Sequence, residues 1–118
     1  MRRIWVALGI PLAASFCTSS VFAAGPVDEG FRKLSGAEIR KTFIGKTFSD
    51  QVHFTERYRA DGTIEGVSIG AKSSGRWRIV KDELCITNHF GEFCYAVWKK
   101  GSEARLVYKK SEIDGYIE

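Results

Sequence analysis

Histidine is scarce in this chain, free cysteine is scarcer, and no apolar run is long. The two histidines are His53, on the polar side of a predicted strand, and His89, in a predicted hairpin loop. No HExxH, no GxSxG nucleophile elbow and no Walker-type phosphate loop accompanies them. A triad assembled by the fold from His53 or His89 with a Ser and an Asp has no local support, so the chain is read as a non-enzyme. No metal-ligand spacing is recognisable either. Asp61, Glu65, Asp82 and Glu83 sit at turns, where acidic side chains are ordinarily just solvated, and no cofactor is expected. The longest apolar run, Ile4–Ala14, falls short of the roughly 20 residues needed to cross a bilayer. Internal repeats and low-complexity stretches are absent.

What is present begins with a leader. Arg2 and Arg3 precede the apolar run, and small residues lead to Val21-Phe22-Ala23. That order of charge, apolar core and small-x-small site predicts a Sec-type signal peptide over 1–23, cleaved after Ala23. Phe16 immediately before Cys17 is wrong for a lipoprotein box. Cleavage would leave 95 of the 118 residues and remove Arg2 and Arg3 from the 18 Lys+Arg, so that 16 basic residues face 14 acidic ones. The net charge falls from +4 to +2, too little to point to nucleic acid. Of three cysteines Cys17 leaves with the leader, and Cys85 and Cys94 remain as one possible bridge in an oxidising compartment. The expected location is periplasmic or secreted, with no transmembrane segment in the mature chain.

Residues 24–33 (AGPVDEGFRK) read as a flexible arm, and 34–118 as one domain. Ser35 and Glu38 form a capping box, Leu34 and Ile39 a hydrophobic staple, and Gly45 suits the left-handed position that ends a helix. From Lys46 the period changes to two. Strands are predicted over Lys46–Ser49, Val52–Arg59, Thr63–Ile69, Arg76–Val80, Leu84–Thr87, Glu92–Trp98 and Glu103–Lys109, with a last short one in Lys110–Glu118. Glu56 breaks the apolar face of Val52, Phe54 and Tyr58, which suggests a bulge or a strand end. Ala60-Asp61-Gly62 is a hairpin turn, and Gly70–Gly75 a polar loop. If Cys85 faces Cys94, then Ile86 faces Phe93, Leu84 faces Tyr95, and Asn88–Gly91 is the connecting turn. Disulfide, alternation and turn chemistry agree on that register. Closing the ten-residue loop contributes roughly 2–3 kcal/mol in the chain-entropy view. The fold expected is mainly β: a short N-terminal helix, then a seven- or eight-strand antiparallel meander curled into a small lipocalin-like barrel with one disulfide.

A small barrel lined by Phe54, Tyr58, Trp77, Phe93 and Tyr95 either holds one apolar molecule or is filled by its own side chains. Trp98 is in phase with Cys94, opposite Tyr95 and Val97, and is a candidate contact residue. Arg57, Arg59, Arg76 and Arg78 fall on polar strand faces and make a candidate basic ladder for an anionic envelope partner. The usual explanation of such a ladder is a solvated outer face that also discourages edge pairing.

The residues Leu34-Ser35-Gly36-Ala37-Glu38-Ile39, Gly45-Lys46-Thr47, Tyr58 with Asp61-Gly62-Thr63, Gly75-x-Trp77, Cys85 and Cys94 resemble a group of small exported alphaproteobacterial domains of unknown function. The resemblance implies a short helix followed by a lipocalin-like β-meander, and no activity. Ser74-Gly75 is also similar to the Ser-Gly loop of the periplasmic lysozyme inhibitors, although a charge of +2 is the wrong sign for a basic enzyme. A non-enzymatic domain that binds a small ligand or an envelope component is therefore expected. The alternative is a protein-interaction module, such as an inhibitor of an envelope-directed hydrolase.

Overall fold

The computed structural model describes Gly9 and residues 29–118. Apart from Gly9, the predicted leader lies outside the described residues, as does the start of the arm, residues 24–28. The elements run β1 (Arg32–Lys33), α1 (Gly36–Phe43), β2 (Lys46–Ser49), β3 (Phe54–Tyr58), β4 (Thr63–Ser68), β5 (Ala71–Val80), β6 (Glu83–Asn88), β7 (Gly91–Lys100), β8 (Glu103–Tyr108) and β9 (Ser111–Ile117). Strands β2 to β9 pair antiparallel with their sequence neighbours, and β9 returns to β2, which closes an eight-stranded up-and-down barrel. Closure leaves no free edge within the meander.

The helix forms where the capping box put it. Ser35 Oγ accepts from the Glu38 N–H at 3.3 Å, and Glu38 Oε1 accepts from the Ser35 N–H at 3.1 Å. Asp82, in the β5–β6 turn, takes the Gly36 N–H at 2.8 Å and so ties the helix start to the barrel. The helix stops at Ile44, and Gly45 takes φ +71°, the left-handed conformation that favours glycine. One face of α1 buries Ile39 and Phe43 fully, with Leu34 beside them. Phe43 sits edge-on to Tyr58 (4.9 Å between centroids) and Phe48 (5.8 Å). This face plugs the barrel end that carries the β3–β4, β5–β6 and β7–β8 turns.

The β6–β7 hairpin has the expected register: Cys85 faces Cys94, Ile86 faces Phe93 and Leu84 faces Tyr95. The Cys85–Cys94 disulfide is formed, with the two Cα atoms 3.9 Å apart. Trp77 is core, and its indole N–H donates to the Arg59 carbonyl at 2.8 Å.

Four expectations are corrected. Ala71–Gly75 is strand, because the β4–β5 turn needs only Ile69 and Gly70, both at positive φ. The first half of β5 pairs with β4 and the second half with β6. Strand β3 starts at Phe54, because Asp50 Oδ1 gathers the N–H groups of Val52, His53 and Phe54 into a tight turn. Glu56 makes no bulge: it pairs in regular register with Phe48 and Gly66. Finally, the flexible arm predicted over 24–33 is ordered in its last residues. β1 pairs with Trp98 and Lys99 of β7, continuing the edge along which β6 ends. Leu34 donates its N–H to the Val97 carbonyl, and Phe31 is buried under the Arg105 guanidinium, 4.5 Å from its ring centroid.

Candidate functional site

Among the described residues, the barrel's second end has no helix over it. Strand direction brings the β2–β3, β4–β5, β6–β7 and β8–β9 connections to that end. Below them lies a cavity of about 200 Å³ lined by Phe48, Phe54, Ile86, Leu106 and Ile113 together with Glu56, Ser68, Asn88 and Tyr95. The apolar group is the inward phase of five strands, and the polar group is set among it. For comparison, an apolar cavity of about 150 Å³ is enough to hold benzene. Larger depressions exist on the outer wall. One of them, about 590 Å³, lies along Arg57, Glu65, Val67, Lys72, Ser73 and Ser74 and is more open.

Glu56 is the unusual member of the lining. It lies in the inward phase between Phe54 and fully buried Tyr58, whose hydroxyl donates to Glu56 Oε2 at 2.9 Å. Burial pushes its carboxyl above the ordinary carboxylate range, and the Tyr58 bond only partly opposes this. Tyr58 and Tyr95 are shifted up in turn, first by burial and then by the neighbouring Glu56 charge. Gly66, facing Glu56 from β4, makes the arrangement possible. A Cβ there would stand 3.2 Å from Glu56 Cγ and would collide with the Thr55 carbonyl.

The rim is apolar at its tips. Val52, Ile69 and Phe90 are 79%, 83% and 77% exposed, more than any other large apolar residue described. Each belongs to a different turn at the open end. Asn88 Oδ1 holds the Phe90 N–H at 2.8 Å, and the His89 and Phe90 rings stack at 4.0 Å.

The residues singled out from sequence are dispersed. Trp98 is half-buried on the outer wall between Lys33 and Arg105, away from the cavity. Arg57, Arg59, Arg76 and Arg78 are all exposed on the outer wall. Arg59 pairs with Glu65 at 3.2 Å, and Arg57 faces the same Glu65 across the sheet. Arg78 binds Glu92 through two bonds of 2.7 and 2.8 Å that cross β6 beside the disulfide. The Arg76 charge helps lower the Asp61 carboxyl, whose main partner is Thr63. The ladder is thus interleaved with carboxylates.

Cys85, Glu92 and Cys94 converge, but the sulfurs are bonded to each other and Glu92 is taken by Arg78. His53 Nδ1 lies 2.8 Å from Asp50 Oδ2, a pairing that also shapes the turn. The neighbouring Ser49 hydroxyl donates to the Phe54 carbonyl at 2.7 Å. Sequence reasoning missed Glu56 and Gly66. The signal was available: a carboxylate stands in the apolar phase with a glycine opposite it on the adjoining strand. No protein-family model, curated protein or solved structure matches this chain.

Proposed function

We propose that this protein is a non-enzymatic binding domain that holds one small ligand, drawn from its compartment or from the cell envelope, in the open mouth of the barrel. The observation that carries the reading is the contrast within one interior: an end filled by α1 and an end left hollow, with a carboxylate and a phenol among aromatic rings. Ligand sites are typically concave and mostly apolar, with few polar groups that fix orientation. At about 200 Å³ the cavity suits a compact body, one ring or a short branched chain. The Cys85–Cys94 disulfide supports an exported, oxidising location. No described helix is long and apolar enough to cross a membrane.

A second reading, a protein-interaction module, is favoured by Val52, Ile69 and Phe90 at the rim, because exposed apolar tips of this kind anchor partners. The two readings separate in native mass spectrometry of the protein purified from the cells that make it. A retained small molecule of compact size supports the first. A retained protein, lost on Phe90→Ser, supports the second and counts against the first.

A further inference from the structure

Among the described residues, Glu56 has one hydrogen-bond partner and no counter-charge. Its Oε2 is held by Tyr58, while Oε1 has no partner among the described residues. None of the ion pairs among the described residues includes it. Among the described residues, no side-chain oxygen or nitrogen that is sealed from solvent lacks a partner. Oε1 is therefore reached from the cavity. The lining contains no lysine or arginine. Lys109, on the β8–β9 turn, lies over the Tyr108 ring, 5.3 Å from its centroid. A carboxylate partly withdrawn from water without a cation is costly, and folded chains ordinarily supply the cation themselves.

From this geometry we infer that the ligand is a small amine. Its cationic nitrogen sits against Glu56 Oε1, and its compact apolar body lies among Phe48, Phe54, Ile86 and Leu106. The inference rests on the reading of the mouth as a binding site and names the class of molecule it takes. Three features of the lining fit that class. A charge-assisted hydrogen bond to Oε1 completes the carboxylate's coordination. The aromatic faces of Phe54 and Tyr95 are electron-rich surfaces that attract cations. Gly66 leaves room beside the Glu56 side chain, so the acceptor is in position before the ligand arrives.

The test uses three probes of one shape and different charge: benzylamine, benzyl alcohol and benzoate. Each is titrated into the purified protein at neutral pH, and the backbone amide resonances are followed. Benzylamine is expected to give saturable shifts at Phe54, Glu56, Ile86 and Tyr95, with affinity roughly tenfold above benzyl alcohol, and benzoate the weakest response. Glu56→Gln keeps the shape of the site and is expected to remove the preference for the amine while benzyl alcohol still binds. If benzyl alcohol or benzoate binds wild type as well as the amine does, or if Glu56→Gln retains the preference, the ligand class is wrong although the mouth remains a binding site. If none of the three perturbs the mouth, the binding reading falls as well.

Discussion

At the helix end, Phe43 presses edge-on against Tyr58 and Phe48, Ile39 and Leu84 are fully buried, and Asp82 clamps the first turn of α1. At the other end the same strands carry Phe54, Glu56, Ser68 and Asn88 around open space. Both ends are built from the same eight strands of one closed barrel and differ in what covers them among the described residues. Dense packing is thus concentrated where α1 sits, and the other end keeps a partly polar interior. Domains of this size bury a limited core, so such an allowance at one end is offset by dense packing at the other.

The comparison breaks most sharply with paired truncations. Phe43→Ala at the closed end is expected to cost about 3–5 kcal/mol, as a large core truncation does. Phe54→Ala, half-buried beside the cavity, should cost under about 2 kcal/mol. Urea midpoints of the two variants decide it; equal costs would mean that the mouth is as filled as the plug. Next in size is the staple of the hairpin whose His89-Phe90 turn rims the mouth. Replacing Cys85 and Cys94 together by Ala should cost roughly 2–3 kcal/mol while leaving the register intact. Circular dichroism with a denaturant melt measures both.

Smaller effects sharpen the electrostatic side. Glu56→Gln is expected to stabilise the protein at neutral pH by roughly 1 kcal/mol, because it removes a buried charge and keeps an acceptor for Tyr58. The folded carboxyl titrates above its unfolded value, so its contribution favours folding at acid pH and is lost as pH rises through the folded pKa. The gain from the substitution should therefore grow from acid to neutral pH. Asp50 slopes the opposite way. Burial tends to raise it, but the N–H groups of Phe54, Val52 and His53 together hold it well below the carboxylate range. Its contribution is full above the unfolded carboxylate pKa and lost as pH falls below it. Asp50→Ala should flatten the acid limb of the stability profile, whereas Glu56→Gln flattens the limb between acid and neutral. Smallest of all, Ser35→Ala should cost about 1 kcal/mol through the lost cap, read in the same melts.

Much of this fold was legible from local chemistry. The capping box, the left-handed Gly45, the Asp61-Gly62 turn and the Cys85–Cys94 register each rest on interactions within a dozen residues, and all are present. What was not legible depends on distant partners. β1 is two residues long and exists because Arg105, Val97 and Trp98 receive it. The first half of β5, Ala71-Lys72-Ser73-Ser74-Gly75, is polar and carries no alternation, and it is strand because β4 pairs it around a two-residue turn. Glu56 was misread for a related reason. An acid in the apolar phase suggests a broken strand unless the opposite residue is known to be a glycine that leaves it room. Nothing in the outer-wall arginines or in Trp98 announced from sequence that the hollow lay on the other side of the sheet.

The central claim is that one end of this barrel is hollow and the other filled, and a crystal equilibrated under xenon pressure tests it most directly. Xenon enters apolar cavities without needing hydrogen bonds. Density is expected among Phe48, Phe54, Ile86 and Leu106, and none between α1 and Tyr58. Xenon at the helix end, or a mouth with no xenon into which Phe54 and Tyr95 have collapsed, would contradict the account.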